Sequence, residues 1–316
     1  MKRRFLKTFL ISLVLFSVLW SGIIYRTVTK ADSEDEEYQD NLIDRLLDGK
    51  KDITFLMLGV DAKDVAESSG ARSDTIMLCK ADRSTGDISI LSIPRDTKVQ
   101  IRGRMNEEKI NHAHAYGGPE ASMETVGDLL GIDLDYYVKV DYNIVKEYVN
   151  ILGGVEVDVP MDMEYSDLAA DPPLHINLSK GYQTLDGDKA LQFLRFRKGY
   201  ADQDLGRIRA QQEFMKAAIE KTLRPANIVN VPKMIKSYYD NVDTNIPLDL
   251  ITKFAMNAKR FDTERIEAAT LPGDGEYVEG VSYFIPDQEE SKKLVEMMFT
   301  EHRSVENIED YNDEIN

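Results

Sequence analysis

The sequence predicts an α/β fold: a single extracellular domain with a mixed central sheet flanked by helices, preceded by one N-terminal transmembrane helix. Strand-like and helix-like runs alternate through most of the 316 residues, the pattern of layered α/β domains. No Pro/Gly/Ser-rich linker and no internal repeat interrupts that alternation. An uncharged stretch follows a basic N-terminus.

Residues 1–7 carry Lys2, Arg3, Arg4 and Lys7 and read as a cytoplasmic tail, because basic residues beside a span stay inside. Residues 8–25, TFLISLVLFSVLWSGIIY, hold no charge. At about 1.5 Å per residue they span roughly 27 Å, close to the hydrocarbon thickness. A cleaved signal peptide would have a shorter apolar region and an A-x-A-like site, and SGIIYRTVTKADS offers none. The span is therefore expected to be an uncleaved, single-pass anchor in the cell membrane, with everything after it outside. Residues 26–50 read as an acidic tether and a short helix, NLIDRLLDG; 51–302 form the domain, and 303–316 an acidic tail.

Within the domain, strands are predicted at ITFLMLGV (53–60), TIMLCKA (75–81), ISILSI (88–93), YYVKVD (136–141), VEVDVP (155–160), RIEAATL (265–271) and YVEGVSYFI (277–285). Helices are predicted at 119–131, 142–154, 206–223 and 247–261, and from near Asp287. A further one begins at Asp186 and is spent by Lys198 or Gly199.

The chain carries 56 acidic and 39 basic residues, net −17, and its first thirty residues hold six basic and no acidic ones. The exterior part thus nets −23, with 33 basic against 56 acidic, which excludes a general nucleic-acid binder. The single cysteine, Cys79, allows no internal disulfide, and a thiol among the apolar neighbours of TIMLCKA is inert.

Against this acidity, LRFRKGYADQDLGRIRAQQEF (194–214) packs Arg195, Arg197, Arg207 and Arg209 into fifteen positions. Helical residues step about 100° each, so Arg207, Gln211, Phe214 and Ala218 share one sector, and Arg209, Glu213, Lys216 and Glu220 another. An exposed arginine snorkels along the surface, which suits Arg209. An inward Arg207 needs an anionic partner to offset desolvation. Arg195 and Arg197 fall at the end of the helix begun at Asp186, where cations are also favoured by the helix dipole. ILSIPRDTKV ends a strand with Pro94-Arg95-Asp96, FLMLGVDAK ends another at Asp61, and ARSDTIML starts the next with Arg72, Ser73 and Asp74. Charged pairs at strand ends mark the usual ligand position of α/β folds. Two carboxylates on neighbouring strand ends would hold one Mg²⁺, and with bidentate arginines this is machinery for a pyrophosphate.

Together LMLGVD, ARSDTIML, ILSIPRDT, KINHAHAYGG, YYVKVD, ILGGVEVDVP, LDGDKALQFLRFRK and DLGRIRAQQ resemble, in order and spacing, the LytR-CpsA-Psr family of cell-wall ligases, over roughly Ile53 to Thr222. The resemblance implies a phosphotransferase that moves a glycopolymer, such as teichoic acid or capsule, from an undecaprenyl-pyrophosphate carrier. The acceptor would be the C6 hydroxyl of N-acetylmuramic acid in peptidoglycan, and polyprenyl phosphate would leave. It implies Asp61 and Asp74 as ligands of Mg²⁺, or of Mn²⁺ in its place. Arg72, Arg95, Arg195, Arg197, Arg207 and Gln211 would cradle the pyrophosphate, with Arg95, Asp74 and Arg207 carrying the catalysis. The sequence departs from the family pattern at Lys63, where arginine is usual. His112 and His114 tempt a zinc reading, but the chain has only four histidines and no nearby thiol partners. Asp96 and Asp204 are expected to orient arginines, and the general base is left open.

Two other functions use the same residues. One is a noncatalytic sensor of polyprenyl pyrophosphates, or the transcriptional attenuator that some family names suggest, although no DNA-reading helix is evident. The other is a lipid pyrophosphatase with water as acceptor.

Overall fold

Apolar runs of alternating parity assemble the centre of the molecule. The computed structural model describes residues 51–60, 70–167, 174–202, 204–224, 226–227, 242–256 and 258–300. β1 (Asp52–Val60), β2 (Ser73–Asp82) and β3 (Ile88–Ser92) form an antiparallel meander. The short hairpin β4 (Lys98–Gln100) and β5 (Glu107–Lys109) follows, then α1 (His112–Leu130), β6 (Tyr136–Val140) and α2 (Tyr142–Ile151). Next come β7 (Val155–Val159), the hairpin β8 (Met163–Asp167) and β9 (Leu174–Leu178), and β10 (Gly181–Leu185). Helices α3 (Gly187–Arg195) and α4 (Asp204–Leu223) precede β11 (Asp243–Thr244) and α5 (Leu248–Met256). The chain continues through β12 (Ile266–Thr270), the hairpin β13 (Gly273–Val278) and β14 (Val281–Pro286), and α6 (Gln288–Val295).

The six-stranded sheet runs β11-β6-β1-β2-β3-β12, with β6 parallel to β1, β12 parallel to β3 and the other pairs antiparallel. Period-2 alternation gives it two buried faces. Leu56, Leu58, Ile76, Leu78 and Leu91 pack with α1 and α6, whereas Met77, Cys79 and Ile90 face Met215 and Ile219 of α4. A second core joins α2, α3 and α4 to the β7–β10 strands around Phe193 and Phe214. α4 therefore packs on the sheet with one side and on this second core with another.

Capping fixes the helices that matter below. Asp141 accepts from Ile144 N–H at 2.9 Å and Asp186 from Lys189 N–H at 2.9 Å, so α2 and α3 begin where a carboxylate satisfies a free amide. α3 stops at Arg195, leaving Arg197 just beyond it.

Several elements differ from expectation, and α2 and α3 end at Ile151 and Arg195, short of the 154 and 198–199 expected. The run 277–285 is not one strand but the turn and second arm of a hairpin. Glu279 (φ 53°) and Gly280 (φ 82°) both occupy the left-handed region, as a tight two-residue hairpin turn requires. α1 begins seven residues early, at His112, and is broken at Gly117 and Gly118, where Gly118 has φ 68° and Pro119 restarts the helix. The helix expected over 247–261 ends at Met256 and gives way to a 3₁₀ turn at Ala258–Arg260. The expected tail, membrane span, tether with its short helix, and C-terminal tail lie outside the described residues; among the described residues no helix is long and apolar enough to cross a membrane.

Candidate active site

Asp74 owes its position to an irregularity of β2. Gly59 pairs with Thr75 while the next residue, Val60, pairs with Ser73, so Asp74 is the extra residue of a bulge. Bulges re-aim a side chain, and this one brings Asp74 to the wall of a cavity. The cavity, of about 620 Å³, lies between the sheet and helices α2 to α5. Along α4 it is lined by Arg207, Gln211, Phe214, Met215, Ala218 and Thr222, one helical face. The fifteen helical steps from Arg207 to Thr222 make that wall roughly 22 Å long. It is polar near Arg207 and apolar toward its far end, where Tyr148 and Thr222 share a hydroxyl hydrogen bond of 2.5 Å.

At the polar end four charges interlock. Arg95, in the turn after β3, donates through Nη1 to Asp74 Oδ1, and its Nε lies 3.8 Å from Asp204 Oδ1. Arg207 Nη2 donates to the Asp74 carbonyl at 3.2 Å and lies 2.8 Å from Asp204 Oδ1. Burial opposes the charge on Arg95, but Asp74 and Asp204 outweigh it and hold its pKa above the ordinary value. Burial pushes Arg207 down, against the pull of Asp204, and the neighbouring Arg95 adds to the fall; a guanidinium stays charged regardless. Both Nε–H groups, of Arg95 and of Arg207, are buried without a hydrogen-bond partner among the described residues. Arg207 lines the large cavity, while Arg95 and Asp204 line a small pocket beside it that shares Asp74, Arg207 and Gln211 with it; buried cationic donors next to an apolar cavity suit an anionic ligand with an apolar tail.

The other sequence-selected residues fall into four groups. Gln211, 9% exposed, stands one turn beyond Arg207 and donates to the Leu194 carbonyl at 3.5 Å, tying α4 to the end of α3. Arg195 lines the cavity with its guanidinium carbon 4.5 Å over the Tyr142 ring, and the exposed Arg197 lines it too. Arg72 differs: it is exposed and outside the cavity wall, on the side of Tyr116, whose phenol senses its charge. Asp61 and Lys63 lie outside the described residues. Arg209 points to solvent and holds Asp202 with both terminal nitrogens, at 2.6 and 3.1 Å.

Asp74 suits a hard cation. One oxygen is taken by Arg95, the side chain is 34% exposed, and its other oxygen accepts no hydrogen bond among the described residues. Among the described residues no three His, Cys, Asp or Glu side chains converge as a metal cage. His112 bonds Glu108 and His114 bonds the Ala71 carbonyl, each through Nδ1. Cys79 is buried, and burial pushes its thiol up to about 12. Asp204 orients two arginines as expected, but Asp96 pairs with a lysine, Lys109, at 2.8 Å. Tyr142 under Arg195 went unnoticed in the sequence, because a stacking pair 53 positions apart leaves no local signal.

Residues 21–300 match the LytR_cpsA_psr family. Over 302 residues, 92% of this chain and 76% of the relative, the sequence is 31% identical to the polyisoprenyl-teichoic acid–peptidoglycan teichoic acid transferase TagV of Bacillus subtilis (strain 168). The crystal structure of B. subtilis TagV superposes with a TM-score of 0.67 at 31% identity, covering 78% of this chain and 96% of that one. The structure of TagT bound to LIIa-WTA superposes with a TM-score of 0.62 at 32% identity, covering 78% and 89%.

Proposed function

The chain belongs to the LytR_cpsA_psr family, and from that premise we propose that it transfers a glycopolymer from a polyprenyl-pyrophosphate carrier to peptidoglycan. The observation that carries this reading is the pair of buried guanidinium donors without partners, on Arg207 in the wall of the apolar cavity and on Arg95 in the small pocket that adjoins it through Asp74 and Arg207. The polyprenyl tail would lie along α4, and the pyrophosphate would meet Arg95, Arg195, Arg197, Arg207 and Gln211. The relative named above as a teichoic acid transferase supports the same donor and acceptor classes.

The chemistry follows from the charges. A sugar hydroxyl, the C6 hydroxyl of N-acetylmuramic acid in this reading, attacks the phosphorus that carries the glycan. The bond from that phosphorus to the bridging oxygen breaks, and its electron pair leaves with undecaprenyl phosphate. Charge builds on the equatorial and bridging oxygens, where fixed donors in a partly dry site stabilise it without reorganising. Arg95 and Arg207 provide those donors, and Asp204 holds both in place. Mg²⁺ on Asp74, with Asp61, would neutralise further phosphate charge. The anchor at 8–25 would keep the domain outside the membrane, next to a lipid-borne donor.

The test incubates the full chain in detergent with a lipid-linked glycan donor and peptidoglycan, with and without Mg²⁺. A glycan-phosphate-muramic acid linkage is expected only when acceptor is present. Equal donor cleavage without acceptor would make the protein a pyrophosphatase, and donor binding without cleavage would make it a sensor.

A further inference from the structure

The transfer just proposed requires a group to accept the proton of the attacking hydroxyl, and the carboxylates at the cavity head are poorly suited. Asp74 and Asp204 both serve arginines. Asp204 spans both arginines, and the free oxygen of Asp74 is the one a metal would take in this reading.

A second titratable cluster adjoins them. Glu108 on β5 accepts from Arg104 Nε at 2.9 Å, from the Tyr116 hydroxyl and from His112 Nδ1 at 2.9 Å. The hydrogen bonds from His112 and Tyr116 hold the Glu108 carboxyl down at about 2, so it is an acceptor at working pH. The histidine must then donate from Nδ1, which fixes the tautomer and leaves Nε2 as a lone-pair acceptor. The His112 side chain keeps 20% of its surface exposed. This is the arrangement in which a carboxylate orients an imidazole for proton transfer.

Its place in the fold links it to the candidate active site. Asn111 N–H donates to the Arg95 carbonyl at 3.3 Å and Ile110 N–H to the Thr97 carbonyl at 2.8 Å, pinning the start of α1 to the turn that carries Arg95. Two residues past His112, His114 donates from Nδ1 to the Ala71 carbonyl at 2.8 Å; burial pushes the His114 pKa down, which keeps the ring neutral for this role. Ala71 leads directly into Arg72, Ser73 and Asp74. The turn bearing His112 is thus clamped between the two segments whose side chains, Asp74 and Arg95, bond each other.

We infer that His112, oriented by Glu108, is the general base for the acceptor hydroxyl. The hydroxyl oxygen forms the new bond to phosphorus as its proton passes to His112 Nε2, the bridging P–O bond breaks, and the electron pair leaves on polyprenyl phosphate. The imidazolium then releases its proton to solvent. Glu108 bonds the ring, Tyr116 stacks edge-on against it, and Arg104 and Arg72 are the charged groups beside that pair. Acceptor sugars would approach from the side of Arg72 and the half-exposed Tyr116, not through the lipid cavity.

This assignment rests on the transferase reading, and the experiment separates the two. Full-length wild type, His112→Gln, His112→Asn and Glu108→Gln are assayed for transfer across pH with a synthetic polyprenyl-pyrophosphate-linked disaccharide and peptidoglycan strands, and for donor binding without acceptor. Both His112 variants should lose a hundredfold or more in rate, keep donor affinity within about threefold, and lack the acid limb of the pH profile. Glu108→Gln should lower the rate while keeping donor affinity within about threefold, since the carboxylate that orients the ring is gone. No transfer by wild type would overturn the transferase reading itself. Transfer by wild type and, within threefold, by both His112 variants would overturn the base alone. So would loss of donor binding in both, which would assign His112 to holding the cradle.

Discussion

Arg207 and Arg209 lie two residues apart on α4 and meet opposite surroundings. Arg207 is 7% exposed, touches Asp74 and Asp204 and keeps one buried donor open. Arg209 has 60% of its side chain exposed and serves only Asp202 among the described residues. Replacing Arg207 by Ala should cost about 1.5 to 3 kcal/mol of donor binding or transition-state stabilisation, roughly ten- to a hundredfold. Arg209→Ala should cost at most about 1 kcal/mol, because exposed pairs contribute little. Arg207→Lys should fare poorly as well, since an ammonium cannot both replace the Nη2 that meets Asp74 and Asp204 and present the second donor, Nε–H, that the guanidinium keeps open. Steady-state transfer kinetics on variants with wild-type circular dichroism decide this; equal losses at 207 and 209 would refute the orientation. Asp204→Asn gives a complementary test, because it leaves two guanidinium groups facing one another without their shared counter-charge. It should lower the Tm of the ligand-free protein, and added inorganic pyrophosphate should raise the Tm of the variant more than that of wild type.

At the scale of elements, the central strands were readable because they are apolar runs, and α2, α3 and α4 because their starts or faces follow local rules. The 100° step alone put Arg207, Gln211 and Phe214 on the buried side of α4, where the structure has them. The hairpin β8–β9 and strand β10 went unread, since MEYSD and GYQTL expose polar residues on one face and are strands only through their partners. The bulge at Asp74 is equally silent in sequence, being a relation between β2 and β1. The break in α1 has the opposite cause: Gly-Gly-Pro is a true breaker signal, but a helical segment precedes it. The cavity itself is a product of packing, which no single stretch encodes. Ile251 on α5 lines it and is only partly buried. Ile251→Trp should shorten the usable length of the cavity while leaving its charged head intact. Transfer from a fifteen-carbon donor should persist, and transfer from a fifty-five-carbon donor should fall at least tenfold. Equal rates with both donors would mean the tail lies elsewhere.

At the scale of the whole molecule, charge divides the chain: six basic and no acidic residues in the first thirty, and net −23 after them. That division predicts an N-terminus inside the cell and a domain outside it, and the core supplies a way to test it. The only cysteine, Cys79, pairs across β2 with Phe55 and Ile90, is 7% exposed, and has its thiol pushed up to about 12. A thiol that is both buried and protonated reacts slowly, so the folded chain behaves as cysteine-free toward alkylating reagents. Cysteines introduced one at a time therefore report their own side of the membrane. Ser33→Cys and Ser304→Cys should label with a membrane-impermeant maleimide in intact cells, and Lys2→Cys only after permeabilisation. Wild type should remain unlabelled in both conditions and react once urea unfolds the domain, in step with the loss of its circular dichroism. Labelling of Lys2→Cys in intact cells, with Ser33→Cys protected, would reverse the orientation and remove the candidate active site from the side where peptidoglycan is found.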